Sequence, residues 1–331
     1  MAFRLGPRSL CRAFRQQNSK WRKYSVQQLP GDYSVVLPKE PFVWGVSHII
    51  PRPVPIHIPR PPYVKGDSPT INGLNHREVY EGDGRIALGS SEEMSLRKAA
   101  LLARDALSYA STLVKVGVTT ETIDTALHDW ITAHEAYPSP LLYSGFPKSC
   151  CTSVNNILCH GVPDGRPLED GDIVNIDVTV YVDRNHGDTS RTFLVGDVDE
   201  PGRRLVDITN NALDLAIQYC GPGKPFKGIG KVIHDHIRRS GNYCVSQRFT
   251  GHGIGSAFHR PPWILHHLND EPGVMLPGHC FTIEPIVIEG PDPTDWTFPD
   301  GWAASTENCS RGAQAEHMVL ITEDGYDVLT A

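Results

Sequence analysis

The sequence predicts an α+β domain in which two similar halves, each a pair of helices followed by antiparallel strands, share one sheet. Three observations predict it. Apolar residues recur at helical spacing in two paired segments, 96–131 and 203–240. Strand-like runs follow each pair, at 172–193 and again at 280–322. The length of 331 residues, with 40% hydrophobic and 21% charged residues, suits one large globular domain plus an extension.

The elements follow in order. Ser90, with Glu93 three residues on, has the form of a capping box. Behind it Leu96, Ala99, Ala103, Ala106, Leu107, Ala110, Leu113 and Val114 share one helical face, and Gly117 stops the helix. Thr119 or Thr120 caps a second helix with Ile123, Leu127, Trp130 and Ile131 on one face, ended by Pro138. From Asp172 to Val182 the alternation is strict, with Val174, Ile176, Val178, Val180 and Val182 on one face and Asn175, Asp177 and Thr179 on the other. A turn at Asp183–Asn185 leads into a second strand through Phe193. Two further helices are expected at 203–220 and 227–240, the latter stopped by Gly241, then strands at 280–289 and 314–322.

The N-terminal part differs in kind. Residues 1–31 hold no acidic residue, while Arg4, Arg8, Arg12, Arg15, Lys20, Arg22 and Lys23 alternate with Phe3, Leu5, Leu10, Phe14 and Trp21. Residues 1–30 therefore read as a mitochondrial transit peptide, with a disordered basic tail as the alternative. No apolar run of roughly 7–15 residues follows, which argues against a secretory signal. Residues 31–84 form a proline-rich extension, expected as an extended arm or linker rather than a packed element, and the folded domain is set at 85–331. The eight cysteines contain no C-x-x-C pair, so free thiols in a reducing compartment are expected. A net charge of −7 argues against nucleic acid as a direct partner, and no stretch nears the roughly 20 apolar residues of a membrane span.

Asp177 and Asp188 lie 11 residues apart across the predicted hairpin. Two carboxylates brought together there repel unless a proton or cation sits between them; two solvated surface aspartates are the plain alternative. His252 sits in the glycine-rich run Gly251-His252-Gly253-Ile254-Gly255, where backbone can approach a ligand closely. Glu284 and Glu316 lie in apolar strand-like runs, where glutamate is costly to bury unless paired or metal-bound. Carboxylates with one histidine suit hard or borderline divalent ions, but spacing alone does not assemble residues so dispersed.

Seven motifs change that. Cys159-His160-Gly161-Val162-Pro163, Val174-Asn175-Ile176-Asp177-Val178-Thr179-Val180, His186-Gly187-Asp188-Thr189-Ser190, Gly251-His252-Gly253-Ile254-Gly255, Phe258-His259, Phe281-Thr282-Ile283-Glu284-Pro285 and Gln314-Ala315-Glu316-His317 closely resemble the type 1 methionine aminopeptidases, in that family's order, from about residue 94 to the C-terminus. The basic start and proline-rich arm look like the mitochondrial 1D branch. Three departures stand out: Pro140, Met318, and the polar segment 289–311.

The resemblance implies the pita-bread fold. It implies ligation of two divalent ions (cobalt, manganese, iron or zinc) by Asp177, Asp188, His252, Glu284 and Glu316, with Asp188 and Glu316 bridging. It also implies removal of the initiator methionine before a small second residue, by attack of a water or hydroxide shared by the ions on the scissile carbonyl. Glu284 is then the proton shuttle, His259 a carbonyl-polarising group and His160 a contact near the scissile amide. Tyr143, Phe146, Cys151, Phe258 and Trp302 are expected around the methionine side chain, ordinary core packing being their alternative. The implied partners are N-terminal peptides of nascent proteins, with association to the ribosome, in the mitochondrial matrix after transit-peptide removal. His234, His236, His266 and His267 match no motif and read as surface or packing residues. An Xaa-Pro peptidase of the same fold, or a metal-free binding protein on it, is the competing reading.

Overall fold

The computed structural model describes residues 31–38, 44–64 and 82–331; the basic stretch 1–30 lies outside them. Two helix pairs lie where the periodicity places them. Helix α1 (Ser91–Leu113) opens on the Ser90 side chain, which accepts from the Glu93 amide at 3.3 Å. The Glu93 carboxylate reaches back to the Gly89 amide at 2.7 Å, one residue before the usual partner in a capping box. Thr119 caps α2 (Thr120–Ala133). Asp199 caps α3 (Glu200–Tyr219), which starts earlier than the apolar periodicity suggests because Pro201 is well suited to a first turn. Helix α4 (Lys227–Ser240) ends at Gly241, whose φ of 122° disfavours other residues.

The strands are β1 (Tyr137–Pro138), β2 (Cys151–Val154), β3 (Ile157–Cys159), β4 (Ile173–Val182), β5 (Asn185–Leu194), β6 (Tyr243–Val245), β7 (Gly251–Gly253), β8 (Arg260–Ile264), β9 (Cys280–Ile283), β10 (Ile286–Glu289), β11 (Asp295–Thr297), β12 (Ala304–Thr306), β13 (Gly312–Ile321) and β14 (Tyr326–Val328). All the pairings between them are antiparallel. The main sheet runs β1-β4-β5-β13-β9-β7-β8, so strands from both halves meet at β5 and β13. This is the α+β pita-bread arrangement that the sequence predicts.

The β4–β5 hairpin is closed by a two-residue turn. Asp183 and Arg184 have φ of 48° and 65°, the left-handed pair of a type I′ turn, whose twist matches the strands. The run 280–289 is not one strand. It breaks at Glu284-Pro285, because proline has no amide to give the ladder.

Alternation along each strand divides the two faces. Val174, Ile176, Val178 and Val180 of β4 pack with Ala99, Ala103, Ile123 and Leu127 of α1 and α2. Ala313, Ala315, Val319 and Ile321 of β13 pack with Leu205, Leu213, Ile229 and Ile233 of α3 and α4. Each large aliphatic side chain fully buried there contributes about 1.5–3 kcal/mol. The helices thus cover one sheet face and leave the other for chemistry.

The N-terminal arm has no helix or strand among its described residues, in keeping with its prolines, but it is docked on the domain. Tyr33 gives its hydroxyl to the Cys309 carbonyl at 2.9 Å, and Asn156 exchanges two hydrogen bonds with the Val36 backbone. Arg52 binds Glu121 and Thr125, each at 2.5 Å, and the Pro53 carbonyl accepts from His128 at 3.1 Å. Ile58 is buried among Tyr137, Leu141 and Tyr181. Proline content foretells extended backbone; it does not say what that backbone lies against. The described cysteines are all free thiols.

Candidate metal centre

The register of three strands assembles the acids. Asp177 of β4 lies opposite Ser190 of β5, and Ser190 lies opposite Glu316 of β13. Asp188, two residues before Ser190, points to the same face and pairs with Thr179. On the far side, β13 pairs with β9 through His317 and Ile283, which brings Glu284 beside Glu316 at the end of β9. Strand β7 adds His252, with Gly253 paired to Phe281. Glycine is needed at Gly253, because a β-carbon there would meet the Pro261 carbonyl oxygen at 2.2 Å.

All five expected ligands line one cavity of about 390 Å³, together with His160, His259, Tyr143, Phe146, Cys151, Phe258 and Trp302. Every residue singled out for the site in the sequence is therefore on the same surface. The rings form two packed groups along the cavity. Tyr143 meets Phe258 at 4.8 Å, Phe146 meets Trp302 edge-on at 5.0 Å, and His160 meets Trp302 at 6.2 Å. His160 has a φ of 54°, a conformation that non-glycine residues hold only where the surroundings impose it.

The acids are held by donors that fix their direction. Asp188 accepts from the Thr179 hydroxyl at 2.7 Å. The two oxygens of Glu284 accept from different groups, Oε1 from Thr282 at 2.8 Å and Oε2 from the Gln314 amide at 3.1 Å. The Thr282 hydroxyl also accepts from the His252 amide at 3.0 Å, which ties two expected ligands to one side chain. Met318, unusual at its position, accepts from the Asp188 amide through sulfur at 3.1 Å.

Electrostatics show what the arrangement demands. Burial pushes Asp177 up to about 7. Glu284 is pushed up to about 8, by burial and then by Asp177, against the bond from Thr282. Asp188 and Glu316 are held well above the carboxylate range by burial and by their acidic neighbours. Burial lowers His252 to about 4, so its ring is neutral. Its Nδ1 lies 3.2 Å from the Gly253 carbonyl, which can only accept, so Nδ1 carries the proton and the Nε2 lone pair is free.

Nε2 faces Asp188 at 3.7 Å and Glu284 at 3.5 Å. These separations are long for hydrogen bonds and suit atoms that share one cation at about 2.0–2.2 Å each. Asp188, His252 and Glu316 each offer a donor atom, all within 4.8 Å of one another. Carboxylates crowded at this depth need protons or cations between them, and oxygen donors with one imidazole fit a hard or borderline divalent ion.

Some residues of the site escaped the sequence reading. His266, read as surface or packing, is buried, and its Nε2 accepts from the Glu284 amide at 3.0 Å. That amide lies just beyond the end of β9, and its partner is set by tertiary packing with no local signal. Gln314 and Thr179 did carry a signal, since each lies two residues from a ligand and so on the same strand face. Arg248, Phe249 and Trp263 also line the cavity. His236 does pack, with Nε2 3.1 Å from the Ile208 carbonyl.

Residues 94–323 match the model of metallopeptidase family M24. The chain is 50% identical over 281 residues to methionine aminopeptidase 1D, chloroplastic/mitochondrial, of Arabidopsis thaliana, covering 84% of this chain and 77% of that protein. It is 47% identical over 299 residues to methionine aminopeptidase 1D, mitochondrial, of Homo sapiens, covering 90% and 84% respectively. The crystal structure of methionine aminopeptidase from Rickettsia prowazekii superposes with a TM-score of 0.71 at 40% identity, over 72% of this chain and 97% of that one. The chain belongs to metallopeptidase family M24, among the methionine aminopeptidases.

Proposed function

We propose that Asp177, Asp188, His252, Glu284 and Glu316 would hold two divalent ions, and that the aromatic lining takes the methionine side chain. The chain is a mitochondrial metal-dependent aminopeptidase that removes the initiator methionine from new proteins. We set its work in the matrix, where nascent chains bring it to the ribosome, after loss of residues 1–30; residues 31–84 stay with the catalytic domain 85–331. The observation that carries the site assignment is the convergence of Asp188, His252 and Glu316 within 4.8 Å of one another, in a cavity that Asp177, Glu284 and several aromatic rings also line.

When bound, divalent ions lower the pKa of water toward neutrality and polarise a carbonyl oxygen. The chain supplies the rest. Glu284, oriented through both oxygens, takes the proton of the attacking water and passes it to the leaving amine. His259 is neutral, pushed well below the usual histidine range by burial. The Tyr143 hydroxyl lies 2.8 Å from Nδ1; with that hydroxyl as the donor, the ring proton sits on Nε2, which would donate to the developing oxyanion. His160 hydrogen-bonds the substrate near the scissile amide. Tyr143, Phe146, Cys151, Phe258 and Trp302 give methionine a polarisable apolar surface.

The test is hydrolysis of Met-Ala-Ser and Ala-Pro-Ser peptides by protein reconstituted with manganese, iron, cobalt or zinc in turn. Release of methionine is expected, with Asp188→Asn losing activity by about 10³-fold or more, near the upper end seen when one group that stabilises the transition state is removed. Equal turnover of Ala-Pro-Ser would establish the Xaa-Pro reading, and unchanged activity in Asp188→Asn would remove the metal site from the reaction.

A further inference from the structure

The docked arm reaches the site from outside. Tyr63, near the end of the stretch 44–64, donates its hydroxyl to the Ser139 carbonyl at 2.5 Å. Its ring meets Tyr143 edge-on, with centroids 5.0 Å apart at 82°, and lies nearly parallel to His186 at 6.1 Å. Ser139 and Tyr143 belong to the loop that carries the wall of the cavity. Within that loop Leu142 has a φ of 65° and Ser144 a φ of 48°. Both are left-handed conformations that non-glycine residues keep only where neighbouring groups hold them.

From that loop two contacts run inward. The Tyr143 hydroxyl bonds His259 Nδ1 at 2.8 Å. The Ser139 hydroxyl lies 2.8 Å from His186 Nδ1, and His186 stacks on Phe258 at 5.1 Å and 11°. Both routes start at groups that Tyr63 touches, and they end on adjacent residues of the site. The rest of the arm is anchored independently, by Arg52 on α2 and by buried Ile58, so Tyr63 is presented from a fixed base.

We infer that Tyr63 is a positioning residue for the aminopeptidase reaction, holding Tyr143 so that Tyr143 in turn orients His259. The proline-rich arm is then a working part of the catalytic unit and not only a connection to it. This rests on the role proposed for His259. A residue that sets the direction of an oxyanion donor affects the transition state more than the bound substrate, so its loss falls on kcat and leaves KM nearly unchanged.

The experiment is steady-state hydrolysis of Met-Ala-Ser by the full, metal-reconstituted chain as wild type, Tyr63→Leu, Tyr63→Phe and Tyr143→Phe, with both Tyr63 changes repeated in the Tyr143→Phe background. Tyr63→Leu is expected to lower kcat about five- to tenfold with KM within about twofold. Tyr63→Phe keeps the ring and restores most of that rate, leaving a loss of about two- to threefold for the missing bond to Ser139. In the Tyr143→Phe background the Tyr63→Leu loss should shrink to that of Tyr63→Phe, because the path through the Tyr143 hydroxyl is already cut while the one through Ser139 and His186 remains. An equal fold-loss of Tyr63→Leu in the two backgrounds, a loss confined to KM, or full activity in Tyr63→Leu would each overturn the inference. Should Tyr63→Leu not fold, Tyr63→Met, which also removes the ring, makes the same comparison. A wild-type protein that leaves Met-Ala-Ser intact would instead defeat the functional reading, which is a separate outcome.

Discussion

Loading the site with metal must expel protons, and the structure says how many to look for. At pH 7 Glu284, at about 8, is about nine-tenths protonated, and Asp177, at about 7, is about half protonated. A ligating carboxylate is deprotonated, so these two alone release between one and two protons per chain, and Asp188 and Glu316 add to that. His252, at about 4, contributes none. Apparent metal affinity should therefore tighten about tenfold per pH unit for each proton released, and flatten above the folded pKa values. The sign for stability is the reverse. Carboxylates with raised folded pKa values hold protons that the unfolded chain gives up near 4, so their contribution to the metal-free protein is fully present below that and is lost as pH rises through about 7 and 8, while the buried neutral histidines His160, His252 and His259 act in the opposite sense below about 6.5. Metal at about 1,000 times its Kd offsets this by about 4 kcal/mol, roughly 8–15 °C in melting temperature. Titration calorimetry with manganese at pH 6.5, in buffers of different ionisation enthalpy, measures the proton count, and scanning calorimetry at pH 7 to 9, above the range where unfolded histidines take up protons, measures the rest. Release below about half a proton per chain, or a metal-free melting temperature that climbs across that range, would refute the reasoning.

Two further predictions concern the frame that carries the site. A β-carbon at Gly187 would lie 2.1 Å from the Ala99 carbonyl oxygen of α1, so Gly187→Ala must push helix and hairpin apart; a loss of about 1–3 kcal/mol or more is expected, read as a lower denaturation midpoint together with weakened metal binding through the adjacent Asp188. Arg311 is fully buried between Asp199, at 2.7 Å, and Glu289, at 3.1 Å, with Tyr33 of the arm over its guanidinium at 4.4 Å. Arg311→Leu leaves Glu289 buried without its cation and should cost about 3–5 kcal/mol in chemical denaturation; adding Glu289→Gln should recover part of it.

How much of this was readable beforehand depended on whether the needed information was local. The β4–β5 hairpin was legible because alternation of period two and a short turn determine which residues share a face, and that put Asp177 and Asp188 together 11 residues apart. The same rule marks Gln314, two residues before Glu316, as a neighbour of the ligands. His266 was not legible in that way. Its partner is the Glu284 backbone amide, 18 residues further on, and nothing in the local pattern points from one to the other. The arm was half legible: its prolines foretell extended chain, but the contacts of Tyr63 and Ile58 lie some 75 or more residues away, where no periodicity operates.

That division has a physical reason, which bears on how the site works. Three of the proposed ligands, Asp177, Asp188 and Glu316, sit on ten-residue paired strands, so their directions follow from the pleat and survive small changes elsewhere. The groups proposed to act on the substrate, His259, Tyr143 and His160, stand on turns and strained backbone, where direction comes only from what packs behind. Metal binding and catalysis should accordingly fail separately. Changes at Tyr63 or Tyr143 should leave the proton count on metal loading intact while kcat falls, whereas changes at Thr179 or Thr282, which hold Asp188 and Glu284, should disturb both.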